Sequence, residues 1–302
     1  MKKALSILMI AAFALLSISC DRNEQIFNEN LQTTQQIELS KLMNSIDSLN
    51  NYYLAIGTTR AFTLSKWQRR FVCSFVDACV GTVTIETGPV GAFVFSTLAS
   101  GLYEDYLDVV LGSTSEYSLY SPNGIRGQQA TIIFPTKNAS FVDSIGYYHN
   151  LVLDKIKSKN KSYIDDGKIQ YQSYFKEIIS ESKRLGIPVS KVEESTYIYK
   201  YIDLFIKNLA KETEISRETL LSIVFNNAFV EFGYSDIQSS QIYNICNKII
   251  YDDLCVNDDQ LESYGIQINN LIENSEVDSD LKIVMKIANN IAINSSIFWK
   301  TR

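Results

Sequence analysis

Histidine is nearly missing from this sequence: His149 is the one copy in 302 residues. None of the five cysteines has the close spacing of a zinc site. No metal or cofactor site is therefore expected. Basic residues are also in deficit, with 28 Lys and Arg against 34 Asp and Glu. Neutralising phosphates takes clustered cations, and Lys66, Arg69 and Arg70 form the only tight group, so nucleic acid is set aside as a partner. No repeat of fixed period is evident, which excludes a solenoid. No nucleophile elbow or partner spacing marks a hydrolase.

What the chain does have begins at its first residue. Two lysines, Lys2 and Lys3, precede an apolar run over 4–16 and a small-residue approach to Cys20, the pattern of an export signal and not of a structural helix. The residues Leu16-Ser17-Ile18-Ser19-Cys20 resemble the lipobox of bacterial lipoproteins, with Ser17 where the commonest pattern has Leu. The resemblance implies cleavage after residue 19, a lipid on Cys20 and a place in the cell envelope, the outer membrane favoured. Asp21 and Glu24 follow the cysteine, and bacterial groups read acidic residues there oppositely, so the leaflet stays open. From Arg22 to Gln36 the chain is rich in Asn, Gln and Thr, and 20–36 is expected to be a flexible tether.

The body is expected to be all-α, an irregular multi-helix bundle. Its organising stretch is 71–111, where Gly88, Ala92, Ser96 and Ser100 recur every fourth residue and so share one helix face. Gly88-Pro89 interrupts the run, giving a helical hairpin with arms over 71–85 and 90–111. The β-branched 82–85 also suits a short strand. Each uncharged run is shorter than the roughly 20 residues of a membrane span, and Asp77 sits inside the first arm, so burial in a protein core is preferred to membrane insertion.

Before the hairpin, Ile37, Leu39, Leu42, Met43, Ile46 and Leu49 follow helical spacing. After it, 112–139 is rich in Ser, Tyr, Asn, Pro and Gly and divides the chain into 37–139 and 140–302, with one continuous domain over 37–302 as the other organisation. From Ser140 helical patterning holds to the end: Val142, Ile145, Tyr148, His149, Val152 and Ile156 on one face, then helices over 169–185, 197–209, 216–233, 237–254, 261–272 and 281–298. Gly186 stops the second of these. Cys73, Cys79, Cys246 and Cys255 can be buried thiols or pair between the hairpin and the C-terminal region, although Cys73 and Cys79 cannot bridge each other across one continuous helix. The acidic pairs Asp252-Asp253 and Asp258-Asp259 read as helix starts, lacking the Gly and Glu of a calcium loop, and Asp165-Asp166-Gly167 reads as a turn.

His149 is the one catalytic candidate, as a base for a nucleophile. A core histidine satisfied by a polar neighbour is the preferred reading, with Gly146 one turn earlier admitting another element. The stretch Asp77-Ala78 through Gly88-Pro89-Val90-Gly91-Ala92, followed by Ile145-Gly146-Tyr147-Tyr148-His149-Asn150-Leu151, is similar to a group of uncharacterised exported bacterial proteins that carry a glycine-rich stretch and a Gly-x-x-His-Asn helix. The similarity covers 71–157 and implies that hairpin and His149 helix form one unit. The function expected is a lipid-anchored binding or structural module, with a protein partner in the envelope. The alternatives are a hydrolase using His149 and a membrane-inserting protein built on the 71–111 hairpin.

Overall fold

The computed structural model describes residues 22–56, 64–110, 140–159, 163–165, 168–192, 196–209, 236–249 and 258–300. Its helices are α1 (Arg22–Ile56), α2 (Leu64–Val83), α3 (Gly88–Val110), α4 (Phe141–Lys157), α5 (Tyr171–Arg184), α6 (Thr196–Leu209), α7 (Asp236–Ile249), α8 (Asp258–Asn274) and α9 (Ser279–Lys300). The expected all-α bundle is what forms. The strand content among the described residues is a two-residue ribbon, β1 (Ile164–Asp165) against β2 (Lys168–Ile169), antiparallel with Ile164 opposite Ile169. The expected helix over 216–233, the connection over 112–139 and Asp252-Asp253 lie outside the described residues.

The helical hairpin is α2 and α3, joined by a 3-10 turn at Ile85–Thr87. Gly88 has φ +80°, a conformation that costs a residue with a Cβ, and it turns the chain into α3. The β-branched 82–85 does not form a strand. Thr82 Oγ1 donates to the Ala78 carbonyl at 2.7 Å and Thr84 Oγ1 to that of Val80 at 2.6 Å, so the hydroxyls bond back along the helix. Ser96 and Ser100 of the small-residue face meet the opposite arm. Ser100 Oγ reaches Asp77 at 2.9 Å, and one turn further along, a Cβ on Gly81 would lie 3.5 Å from that of Ser96. One turn forward on α2 answers one turn back on α3, the register of an antiparallel pair. Residues 73–85 and 91–103 are buried throughout. Among the described residues no helix is long and apolar enough to cross a membrane.

The hairpin is covered by the end of the chain. α9 packs along α2 and α4, and every residue from Val284 to Trp299 is buried. One hydrophobic cluster runs from Leu42 to Trp299 and takes residues from both sides of the 112–139 connection. α4 is capped at its start, where the Ser140 backbone N–H and Oγ both donate to Asp143 at 2.8 and 3.0 Å. At the end of α5, Gly186 takes φ +77°, and the Ile187 and Gly186 N–H groups bond back to Ser182 and Lys183, each at 3.0 Å. This is the left-handed cap that the glycine predicts.

The expected tether is corrected at 22–36. α1 begins at Arg22, and the Gln35 side chain accepts from the Asp278 backbone N–H at 3.1 Å. No Gly or Pro interrupts 22–56, and once a helix is nucleated each further residue costs little to add, so a polar extension propagates from the amphipathic part.

Candidate functional site

The one histidine occupies a fully buried polar node where four helices meet. His149 of α4 places Nε2 3.6 Å from Oδ2 of Asp77 on α2, beyond hydrogen-bond length, and both side chains are wholly shielded from solvent. The same Oδ2 accepts from Ser100 Oγ of α3 at 2.9 Å, from Ser295 Oγ of α9, and from Trp299 Nε1 at 3.4 Å. On the other side of the ring, Nδ1 lies 3.2 Å from Asn150 Oδ1. The Asn150 amide nitrogen is committed to the Asn294 carbonyl at 2.7 Å, which leaves its oxygen as the acceptor and puts the ring proton on Nδ1. Burial lowers the His149 pKa to about 4, against the opposing hydrogen bonds to Asn150 and to the Ser96 backbone, so the ring is neutral at neutral pH.

This arrangement ties four helices together. A general base needs a pKa near the working pH and a nucleophile in reach. Here both serine hydroxyls are turned to the Asp77 carboxylate, not to the imidazole, and no solvent reaches the ring. The element admitted by Gly146 is α9: a Cβ there would stand 2.1 Å from the Asn290 carbonyl oxygen.

Two more polar layers lie along α4. Toward its start, Lys286 of α9 bridges Asp143 and Glu273, each at 2.6 Å. Burial works to lower the Lys286 pKa, but the two carboxylates outweigh it and hold the ammonium above its ordinary value. Toward the end of α4, Lys157 pairs with Asp105 and donates to the Gly101 carbonyl at 3.0 Å. Amides fill the gaps between: Asn290 donates to the Val142 carbonyl at 2.8 Å and accepts from Asn269 at 2.7 Å, while Asn289 donates to the Gly265 carbonyl at 2.9 Å. The signal for these was present in the chain as asparagines inside an apolar helical pattern, and sequence reasoning passed over it.

The neutral ring predicts a specific acid sensitivity. In the unfolded chain His149 takes up a proton near pH 6.5, while in the folded chain it does so only near 4, so the unfolded state binds the proton first. Stability from this group is full above about pH 6.5 and falls as pH drops toward 4, by about 3 kcal/mol over that window. Urea titrations of the parent and of His149→Gln across pH 4–7 measure it. The variant is expected to be about 1–3 kcal/mol less stable at pH 7 and to lack this part of the slope. Parallel profiles would show that the ring is not held neutral.

A second feature lies on the surface. An open groove of about 750 Å³ runs between α1 and α8, with Leu42, Leu49, Tyr52 and Leu271 supplying apolar lining and Lys41 and Asn274 polar lining. Asp258 and Asp259 stand at the start of α8, in the first turn where the helix dipole favours acids. Cys73, Cys79 and Cys246 are buried, and α2 packs against α7, which carries the last of them. Cys20 and Cys255 lie outside the described residues. No family model, curated protein or solved structure matches this chain.

Proposed function

We propose that this chain is a binding or structural module of the bacterial cell envelope, lipid-anchored through Cys20 and presenting its α1/α8 groove to a protein partner. The observation that supports the reading is the contrast between its two polar features. The His149 node is sealed, whereas the groove is open, partly apolar and lined by the helix that begins just after the lipidation residue. Burial of 73–85 and 91–103 in the hairpin weighs against the membrane-inserting alternative, and the closed histidine weighs against the hydrolase.

Two measurements test the proposal. Cys20→Ala is expected to move the protein from the membrane pellet to the soluble fraction, because one protein-bound lipid anchor is lost. Retention in the pellet through salt washing would overturn the anchor. A photoreactive phenylalanine analogue at Ser48, in the groove, is expected to give discrete protein adducts in intact envelopes, and the same analogue at exposed Lys183 on α5 is expected to give none. Equal labelling from the two positions would remove the groove as the binding surface.

A further inference from the structure

The contacts between helices run in one consistent register, and that register sets the end of the bundle from which α1 leaves. Along α9, Lys286 meets Asp143 near the start of α4, and Asn290 and then Asn294 meet Val142 and Asn150 further on. α4 therefore runs with α9. α8 runs against it, with Glu273 on Lys286 and the Gly265 carbonyl on Asn289, and so does α2, with Gly81 beside Ile287 and Asp77 on Ser295. The 3-10 turn of the hairpin, the start of α4 and the connection between α8 and α9 thus share one end of the bundle. α1 lies antiparallel to α8: Asn50 Oδ1 accepts from the Tyr264 hydroxyl at 2.8 Å, and Gln35 accepts from the Asp278 N–H at 3.1 Å. α1 reaches the turn end at Gln35 and continues as helix back to Arg22, about 20 Å further at 1.5 Å per residue.

We propose that 22–34 is a helical stalk that stands the body about 20 Å off the bilayer, with the hairpin-turn end toward the lipid and the ends of α4 and α9 outward. The inference rests on the lipid at Cys20 and deepens that reading by setting the orientation of the body. Only Asp21 stands between the lipidation residue and α1, and one residue spans at most about 3.6 Å. That is too little chain for the body to turn over and meet the bilayer with its other end. Charge acts in the same sense. The exposed side chains over 273–280 include Glu273, Glu276 and Asp280 and no Lys or Arg, so anionic headgroups repel the near end and keep it from settling on the lipid. A flexible tether of the same length would leave every face of the body free to reach the surface, whereas a helix commits one end.

Energy transfer to the bilayer tests it. The full chain, carrying a donor dye on a clickable phenylalanine analogue at exposed Glu276 or at exposed Lys155, is inserted into vesicles of phosphatidylcholine and phosphatidylglycerol that hold an acceptor-labelled lipid. Transfer is expected to be stronger from 276 than from 155, corresponding to a difference in height of about 18 Å, the rise of α4 from Asp143 to Lys155. Asn28→Gly with Glu29→Pro, which breaks the stalk far from any contact of the body described above, is expected to abolish that difference. Equal transfer from the two positions in the parent, stronger transfer from 155, or a difference that survives the Gly-Pro change would each overturn the stalk. Cys20→Ala separates this from the broader reading. Loss of transfer at both positions in that variant supports the anchor, so that a parent without a height difference then overturns the orientation alone. Undiminished transfer in Cys20→Ala would overturn the anchor and the stalk together.

Discussion

Gly146→Ala is expected to lower stability by about 3 kcal/mol or more, at the upper end of overpacking costs, although it adds a single methyl group. The added Cβ would lie 2.1 Å from the Asn290 carbonyl oxygen and 2.7 Å from Asn294 Nδ2. The first of these is backbone, so no rotamer change relieves the clash, and α4 and α9 have to move apart. Moving apart stretches the buried bond from Asn290 to the Val142 carbonyl, where no water can replace it, and the bond from half-buried Asn150 to the Asn294 carbonyl. Gly88→Ala is the comparison. A Cβ there meets nothing within 4 Å, so its cost is the strain of a positive φ alone, about 1 kcal/mol. Thermal unfolding of the two variants decides the matter, with a fall of roughly 6–12 °C expected for Gly146→Ala at 2–4 °C per kcal/mol. A midpoint no lower than that of Gly88→Ala would mean that the helices do not touch at Gly146.

That close approach was half legible in the chain. Helical spacing puts Gly146 and His149 near one face of their helix, and a glycine on a buried face announces a close neighbour. It does not say which neighbour, because periodicity describes one helix at a time. The same limit applies to Asp77. As a charged residue inside an apolar arm it stands out, yet its partners Ser100, Ser295 and Trp299 are fixed only once α3 and α9 are folded around it. The turn of the hairpin, by contrast, was readable, because Gly88-Pro89 is a local signal, and the small-residue ladder marked the contact face at Ser96 and Ser100 but not at Gly88, where an added Cβ would meet nothing. The tether was misread because polar composition alone suggested disorder, while an uninterrupted helix needs only a folded end from which to grow. α9 was recognised as a helix, but its central place was not, since asparagines and serines at 289, 290 and 294–296 look solvated until their bonds to α4 and α8 are known.

Asp77→Ala is expected to be the most damaging change in the His149 node, costing about 3–5 kcal/mol, because three buried donors lose their acceptor at about 1–3 kcal/mol each. The loss has two parts. Ser100 Oγ, Ser295 Oγ and Trp299 Nε1 all lose the oxygen they donate to, in a place where water does not reach, and the side chain leaves a void between helices packed at crystal-like density. Asp77→Asn separates these parts, since its amide oxygen can take the Oδ2 position and keep an acceptor for the donors at nearly the same volume. It is expected to fall between the parent and Asp77→Ala. Adding Ser100→Ala to Asp77→Ala should then cost less than Ser100→Ala does alone, because the hydroxyl has already lost its acceptor. Urea unfolding of the four proteins closes this double-mutant cycle. Strict additivity of the two changes, or Asp77→Ala within 0.5 kcal/mol of the parent (about the effect of an ordinary surface substitution), would show that the carboxylate does not tie α2, α3 and α9 together.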